Sequence, residues 1–230
     1  MKNIKTSILI VMLVLVHALA NAQFKEGESF IDGAFQVNLF DSKAKDTDSQ
    51  YRLYGHNIDV SLGKFRSGTK AVGWSLSNNL AIQKVKSLTF EPKPLQNLGF
   101  SISRFWEFYK PLNDKFSLYA RPRIGLGYNL ANTFDNANGN ITTETRLNSI
   151  SLVANIGAGI AWRIAPKWAI YGGVAFSNPL DVSYSFGRRR DVANPRPDGQ
   201  YPQNNLRGFS YRFAPDLSSG SIGLGFRYFY

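Results

Sequence analysis

Eight stretches of this chain alternate apolar with small or polar residues, and most run longer than the strands of a water-soluble sheet. In residues 29–39, Ile31, Phe35, Val37 and Leu39 take one parity while Asp32, Gln36 and Asn38 take the other. Residues 53–65 set Tyr54, Ile58, Val60 and Leu62 against Asn57, Asp59 and Ser61. The pattern returns at 71–82 with Val72, Trp74, Leu76 and Leu80, and at 98–109 with Phe100, Ile102, Trp106 and Phe108. It continues at 116–130 through Leu118, Ile124, Leu126 and Tyr128, and at 149–163 through Ile150, Leu152, Ile156 and Trp162. A seventh stretch begins at Trp168 with Ile170, Val174 and Phe176; the last, 221–230, carries Ile222, Leu224, Phe226, Tyr228 and Tyr230. Soluble strands average about 5 or 6 residues, whereas a tilted strand needs about 9 to 11 to cross a bilayer. Period two with one apolar face predicts strands wetted by hydrocarbon, a pattern that averaged hydropathy conceals.

The amino-terminal residues fit an exported protein. Lys2 and Lys5 precede an apolar run over 8–16, and Ala20-Asn21-Ala22 follows it, so residues 1–22 read as a cleaved signal peptide and 23–230 as one mature domain. The run is too short to span hydrocarbon as a helix. With no cysteine in the chain, disulfides, thiolate ligands and a cysteine nucleophile are all excluded. The balance is basic, with 27 Lys+Arg against 16 Asp+Glu and a net charge of +11. For an exported chain such a surplus points to anionic lipid headgroups rather than nucleic acid.

The links between stretches alternate in length. Short ones lie around Arg66-Ser67-Gly68-Thr69, at 110–115 and at 164–167; long polar ones cover 40–50, 83–97, 131–148 and 178–208. Short turns at one rim and long loops at the other predict an all-β, eight-stranded, antiparallel up-and-down transmembrane barrel with both termini periplasmic. Aromatic residues of the apolar parity gather near the short turns and the carboxyl terminus: Trp74, Trp106, Phe108, Phe116, Trp162, Trp168, Tyr228 and Tyr230. Rings with a polar tip suit a membrane interface. Tyr54, Tyr128 and Phe176 are expected to form a sparser girdle at the other end.

The ending Gly225-Phe226-Arg227-Tyr228-Phe229-Tyr230, the leader and the loop asymmetry together resemble the small outer-membrane β-barrel proteins of the OmpA/OmpX kind, a porin-related family of Gram-negative bacteria. The resemblance covers residues 30–230. It implies an integral outer-membrane location and recognition by the barrel-assembly machinery through the last strand. Gly223 departs from it, standing where the family's carboxyl-terminal signal has a polar residue.

The inward parity collects Asp32, Asp59, Glu107, Arg121, Arg123, Arg163 and Arg227 among glycines and serines. A barrel of eight strands is only wide enough for its side chains to fill, so these charges are expected to neutralise one another and plug the lumen. Asp32 with Arg227, and Glu107 with Arg121, are the expected pairs. Arg104 stands out because its parity turns it toward lipid. Snorkelling toward headgroups beside Trp106 is the favoured account. Residues 186–208 hold Arg188, Arg189, Arg190, Arg196 and Arg207, whose guanidinium forks suit phosphate or carboxylate; lipopolysaccharide headgroups or an acidic protein partner are the expected ligands. Phe209, Tyr211 and Phe213 have the parity opposite to Ile222, which predicts a break near Pro215.

Barrel enzymes that modify lipid A need a histidine and a serine turned to lipid. After the leader only His56 remains, with no serine on its face. The expectation is a monomeric, non-enzymatic barrel without cofactor or metal and with a structural or interaction role. The alternatives are a narrow channel for small or hydrophobic solutes and, more remotely, a lipid A-modifying enzyme.

Overall fold

The computed structural model describes residues 24–43, 50–86, 95–137, 140–214 and 223–230, and among these no helix occurs. The leader, Ile222 and the expected break near Pro215 lie outside the described residues. The strands are β1 (Ser29–Lys43), β2 (Gln50–Ser67), β3 (Lys70–Lys86), β4 (Leu95–Pro111), β5 (Phe116–Ala137), β6 (Asn140–Ala165), β7 (Trp168–Asp191), β8 (Gln203–Phe213) and β9 (Gly223–Phe229). Each pairs antiparallel with its chain neighbour from β1 to β7, and β9 closes the ring between β7 and β1. The result is an eight-stave barrel in which β8 and β9 share the last stave. β9 pairs with residues 168–173 of β7, and β8 pairs higher up with residues 180–190.

The wall is held by main-chain pairing, which every strand that crosses hydrocarbon requires. The expected apolar parity lies outside: Phe35, Leu76, Phe100, Leu126 and Leu224 are all exposed. The core is small and lies inside the ring, near the short-turn rim. At that rim the backbones of Ser29 and Tyr230 exchange hydrogen bonds at 3.3 and 3.0 Å, joining the first strand to the last residue.

Two expected loops are largely strand. Residues 131–137 and 140–148 belong to β5 and β6, with Thr133 opposite Thr145; residues 178–191 and 203–208 belong to β7 and β8, with Arg190 opposite Gln203. In β5 and β6 the pairing persists after outward residues have turned polar, at Asn132, Arg146 and Asn148, whereas β7 keeps an apolar outward row of Leu180, Val182, Tyr184 and Phe186 up to Arg188. Backbone ladders do not depend on an apolar face, and threonine suits a strand. The apolar alternation therefore marks where the strands leave lipid, not where they end.

Two irregularities interrupt the ladders, and the first has a visible cause. Between Phe105 opposite Arg123 and Phe108 opposite Ala120 the β4–β5 ladder skips two pairs, beside Pro122, which has no N–H to give. Above Gly33, β1 has no ladder to β8 among the described residues.

Candidate functional site

Moving up the lumen from the short-turn rim, the first layer is aromatic. Phe24, Phe30, Phe65, Phe105, Tyr109 and Phe229 are all buried. Phe24 stacks on Phe65 at 4.4 Å between ring centroids and lies 4.7 Å from Tyr109. It reaches this position because residues 25–28 fold back under the barrel. Gly27 adopts φ +85°, a left-handed conformation that glycine takes without steric cost, and its N–H donates to Phe65 O at 3.0 Å. Glu28 then meets Arg163 across the rim, with Oε1 2.7 Å from Nη2.

Directly above lie four charges. Asp32 and Glu107 are each 1% exposed, Arg121 6% and Arg227 4%. Arg227 Nη2 contacts Asp32 Oδ2 at 2.5 Å and Glu107 Oε1 at 2.8 Å. Arg121 Nε donates to Glu107 Oε1 at 2.6 Å, and its Nη2 bonds Asp32. Tyr109 adds its hydroxyl to Glu107 Oε2 at 2.6 Å. The guanidinium planes rest on rings, with Arg227 3.8 Å from the Phe30 centroid and Arg121 4.4 Å from that of Phe105. Charges stripped of water are tolerated only when paired and hydrogen-bonded. Two acids and two bases make this layer neutral.

A third layer holds Asp59, Arg123 and serines. Asp59 accepts from Ser77 at 2.5 Å, Ser75 at 2.8 Å and Arg123 Nη1 at 3.2 Å. Above it a polar cavity of about 400 Å³ is lined by Asn57, Asn79, Ser101, Arg123, Ser151 and Asn155 among others. Arg123 Nε and Asn155 Oδ1 have no partner there.

Asp32, Asp59, Glu107, Arg121, Arg123, Arg163 and Arg227 thus all occupy the inner face, but not as one network. Arg163 belongs to the rim, Asp59 and Arg123 to the cavity floor, and the other four to the buried cluster. Asp32 is opposite Arg227 on the closing strands, as the sequence suggests. The inward aromatics Phe30, Phe65, Phe105, Tyr109 and Phe229 are the functional residues that parity reasoning passed over. Facing glycines make room for two of them: a Cβ on Gly63 would land in the Phe30 ring, and one on Gly73 in that of Phe105.

On the outside, Trp74, Trp106, Trp162, Trp168 and Tyr230 are exposed and Tyr228 is half-buried. Phe116 stacks on Trp162 at 5.6 Å, and Trp168 lies 5.0 Å from Tyr228. Arg104 has a partner on this surface, its guanidinium standing 5.3 Å from the centroid of the opposite Trp74. That places its charge on the aromatic belt. At the other end Tyr54 and Tyr128 are exposed; the side chain of Phe176 is not among those described. His56 Nε2 is 2.8 Å from Asn78 Oδ1, and Asn78 in turn donates to Gly99 O. No group of three or more metal-ligating side chains occurs among the described residues.

The arginine-rich stretch requires correction. It is not a loop: Arg188, Arg189 and Arg190 lie on β7 and Arg207 on β8, leaving only Arg196 in the connection. Alternation splits them, since Arg188 and Arg207 share the outward parity of Phe186 and Phe209 whereas Arg189 does not. Arg189 meets Asp135 at 3.2 Å, and Arg190 lies 4.5 Å from the centroid of Tyr201.

No protein-family model and no curated protein matches the sequence. Among solved structures the chain is similar to the outer membrane protein OprG from Pseudomonas aeruginosa. The two are 12% identical, the match covers 91% of this chain and 98% of OprG, and the TM-score is 0.53. A looser likeness, 13% identical with a TM-score of 0.46 over 89% of this chain and 100% of the other, is to a major outer membrane protein from Thermus thermophilus. The fold is that of a small outer-membrane β-barrel.

Proposed function

We propose that this chain is a monomeric, integral barrel of a bacterial outer membrane, exported by its leader, with both termini periplasmic and a structural or interaction role rather than a catalytic one. The lumen is plugged in its periplasmic third, so the cavity above is a blind vestibule open toward the cell exterior. One observation carries this reading: the Asp32, Glu107, Arg121 and Arg227 cluster is buried above a sealed aromatic layer. Insertion proceeds through the barrel-assembly machinery, which the aromatic carboxyl-terminal strand resembles a substrate for. His56 is an interfacial histidine bonded to a carboxamide, and the lumen uses no cofactor. Protein interaction, where it occurs, engages the arginines at the outer rim.

The polar cavity of about 400 Å³ in the lumen favours a second reading, a narrow path for small or hydrophobic solutes. Conductance separates the two. The purified chain in a planar bilayer is expected to give no steady single-channel steps, and replacing Arg121 is expected to bring leak events. Steps in the unaltered protein that vanish when Arg121 or Arg123 is changed would establish the channel instead.

A further inference from the structure

We infer that three outward arginines on adjacent strands, Arg146, Arg188 and Arg207, form a binding site for the anionic saccharide headgroup of an outer-leaflet glycolipid. The inference rests on the membrane-barrel reading above and names the ligand of its outer rim. Arg146 of β6 is directly opposite Arg188 of β7. Arg188 is opposite Asn205 of β8, and Arg207, two residues along that strand, is opposite Phe186. All three share the parity of exposed wall residues: Ile150 on β6, Tyr184 and Phe186 on β7, and Phe209 and Tyr211 on β8. All three are themselves exposed.

Like charges placed directly opposite each other across a ladder are destabilising. Here only part of that repulsion is relieved from within. Arg146 bonds Glu144 Oε1 at 3.0 Å while 71% of its side chain remains exposed. Arg188 and Arg207 have no ion pair among the described residues. An anion from outside supplies the missing charge, and guanidinium forks grip phosphate or carboxylate with two parallel bonds.

The surface below the arginines selects a lipid rather than a free ion. Tyr184 lies between Ile150 and Phe209 in one row, and its ring stacks with Phe186 at 6.1 Å. Tyr211 and Phe213 continue this aromatic face down β8, 62% and 64% exposed. The arginines stand two to four residues above the Tyr184 row on their strands, roughly 7 to 13 Å at strand rise. One patch therefore offers aromatic surface below and cationic forks above, which fits a molecule with sugars or acyl chains beneath its phosphates. An inorganic anion uses only half of it.

The test reconstitutes the full chain in phosphatidylcholine vesicles containing a small fraction of rough-type lipopolysaccharide, either native or chemically dephosphorylated. Lipopolysaccharide retained after extraction into mild detergent is measured by native mass spectrometry. The native form should be retained at least about tenfold better than the dephosphorylated form, and the Arg146→Gln/Arg188→Gln/Arg207→Gln variant should lose that preference, as expected for charge-assisted bonds. Should the triple variant fail to fold, Arg188→Gln and Arg207→Gln singly are each expected to reduce the preference several-fold. Equal retention by variant and unaltered protein overturns the site. Displacement by millimolar inorganic phosphate overturns the lipid assignment. A chain that inserts and migrates as a folded band yet shows no preference refutes this inference alone; one that does not insert removes the barrel reading as well.

Discussion

Replacing Glu107 by alanine is expected to cost the folded barrel about 3 to 5 kcal/mol, the range for breaking a buried ion pair by removing one partner. Glu107 accepts from Arg121 at 2.6 Å, from Arg227 at 2.8 and 3.0 Å, and from Tyr109 at 2.6 Å. Without it, two guanidiniums face each other over Asp32 alone, in a layer buried from the surface. The loss arises chiefly from those abandoned charges, so a double variant lacking both Glu107 and Arg121 should be destabilised by less than the two single changes together. Asp59→Asn is the contrasting case. Its side chain is 20% exposed and faces the polar cavity, where solvent and four donors, Ser61, Ser75, Ser77 and Arg123, soften the change. Urea titration of reversible folding in lipid vesicles measures all four variants, and a Glu107→Ala barrel as stable as the parent would show that the cluster contributes nothing.

A second large effect is expected at Gly63, for steric rather than electrostatic reasons. The Phe30 ring lies flat against the glycine, where any Cβ would overlap it, and Phe30 is fully buried among Phe65, Phe105 and Phe229. The ring is packed on its inward side by Phe65, Phe105 and Phe229. Gly63→Val is therefore expected to destabilise by at least about 3 kcal/mol, at the upper end for overpacking, or to stop folding altogether. Phe30→Ala alone leaves a cavity and costs a similar amount. Combining the two should recover stability relative to Gly63→Val, because the valine then occupies the space the ring has left. Folding yield by the heat-modifiable gel shift reads the series, and a double variant worse than either single change would contradict the packing described.

Much of the wall was legible in the sequence. The alternation from Ile31 to Tyr230 assigns the outward residues, since a one-residue slip would turn an entire apolar set inward. The pair Asp32 and Arg227 was legible for a related reason: both lie on closing strands at matching distances from their ends. The aromatic layer was not. Phe30, Phe65, Phe105 and Phe229 interrupt the polar parity, and read singly they look like imperfections in it; Phe30 and Phe105 are seated on Gly63 and Gly73 of neighbouring strands, and those seats depend on register. The extension at 131–148 shows no continuous apolar face, which pairing above the lipid does not need, and that at 178–191 is set off from the stretch below by Asn178-Pro179, a dipeptide that reads as a turn. With the extensions missed, the outward row of Arg146 beside Arg188 was missed too, since no local spacing joins residues on different strands.

Tryptophan quenching tests most directly whether lipid wets the exterior. All four tryptophans, Trp74, Trp106, Trp162 and Trp168, are exposed on the outer face near the short-turn rim. In vesicles of brominated phosphatidylcholine their fluorescence should fall strongly, most with bromines placed near the headgroup, while aqueous acrylamide has little effect. Fluorescence untouched by brominated lipid and quenched by acrylamide, from a chain that stays folded and dispersed without detergent, would contradict a membrane barrel.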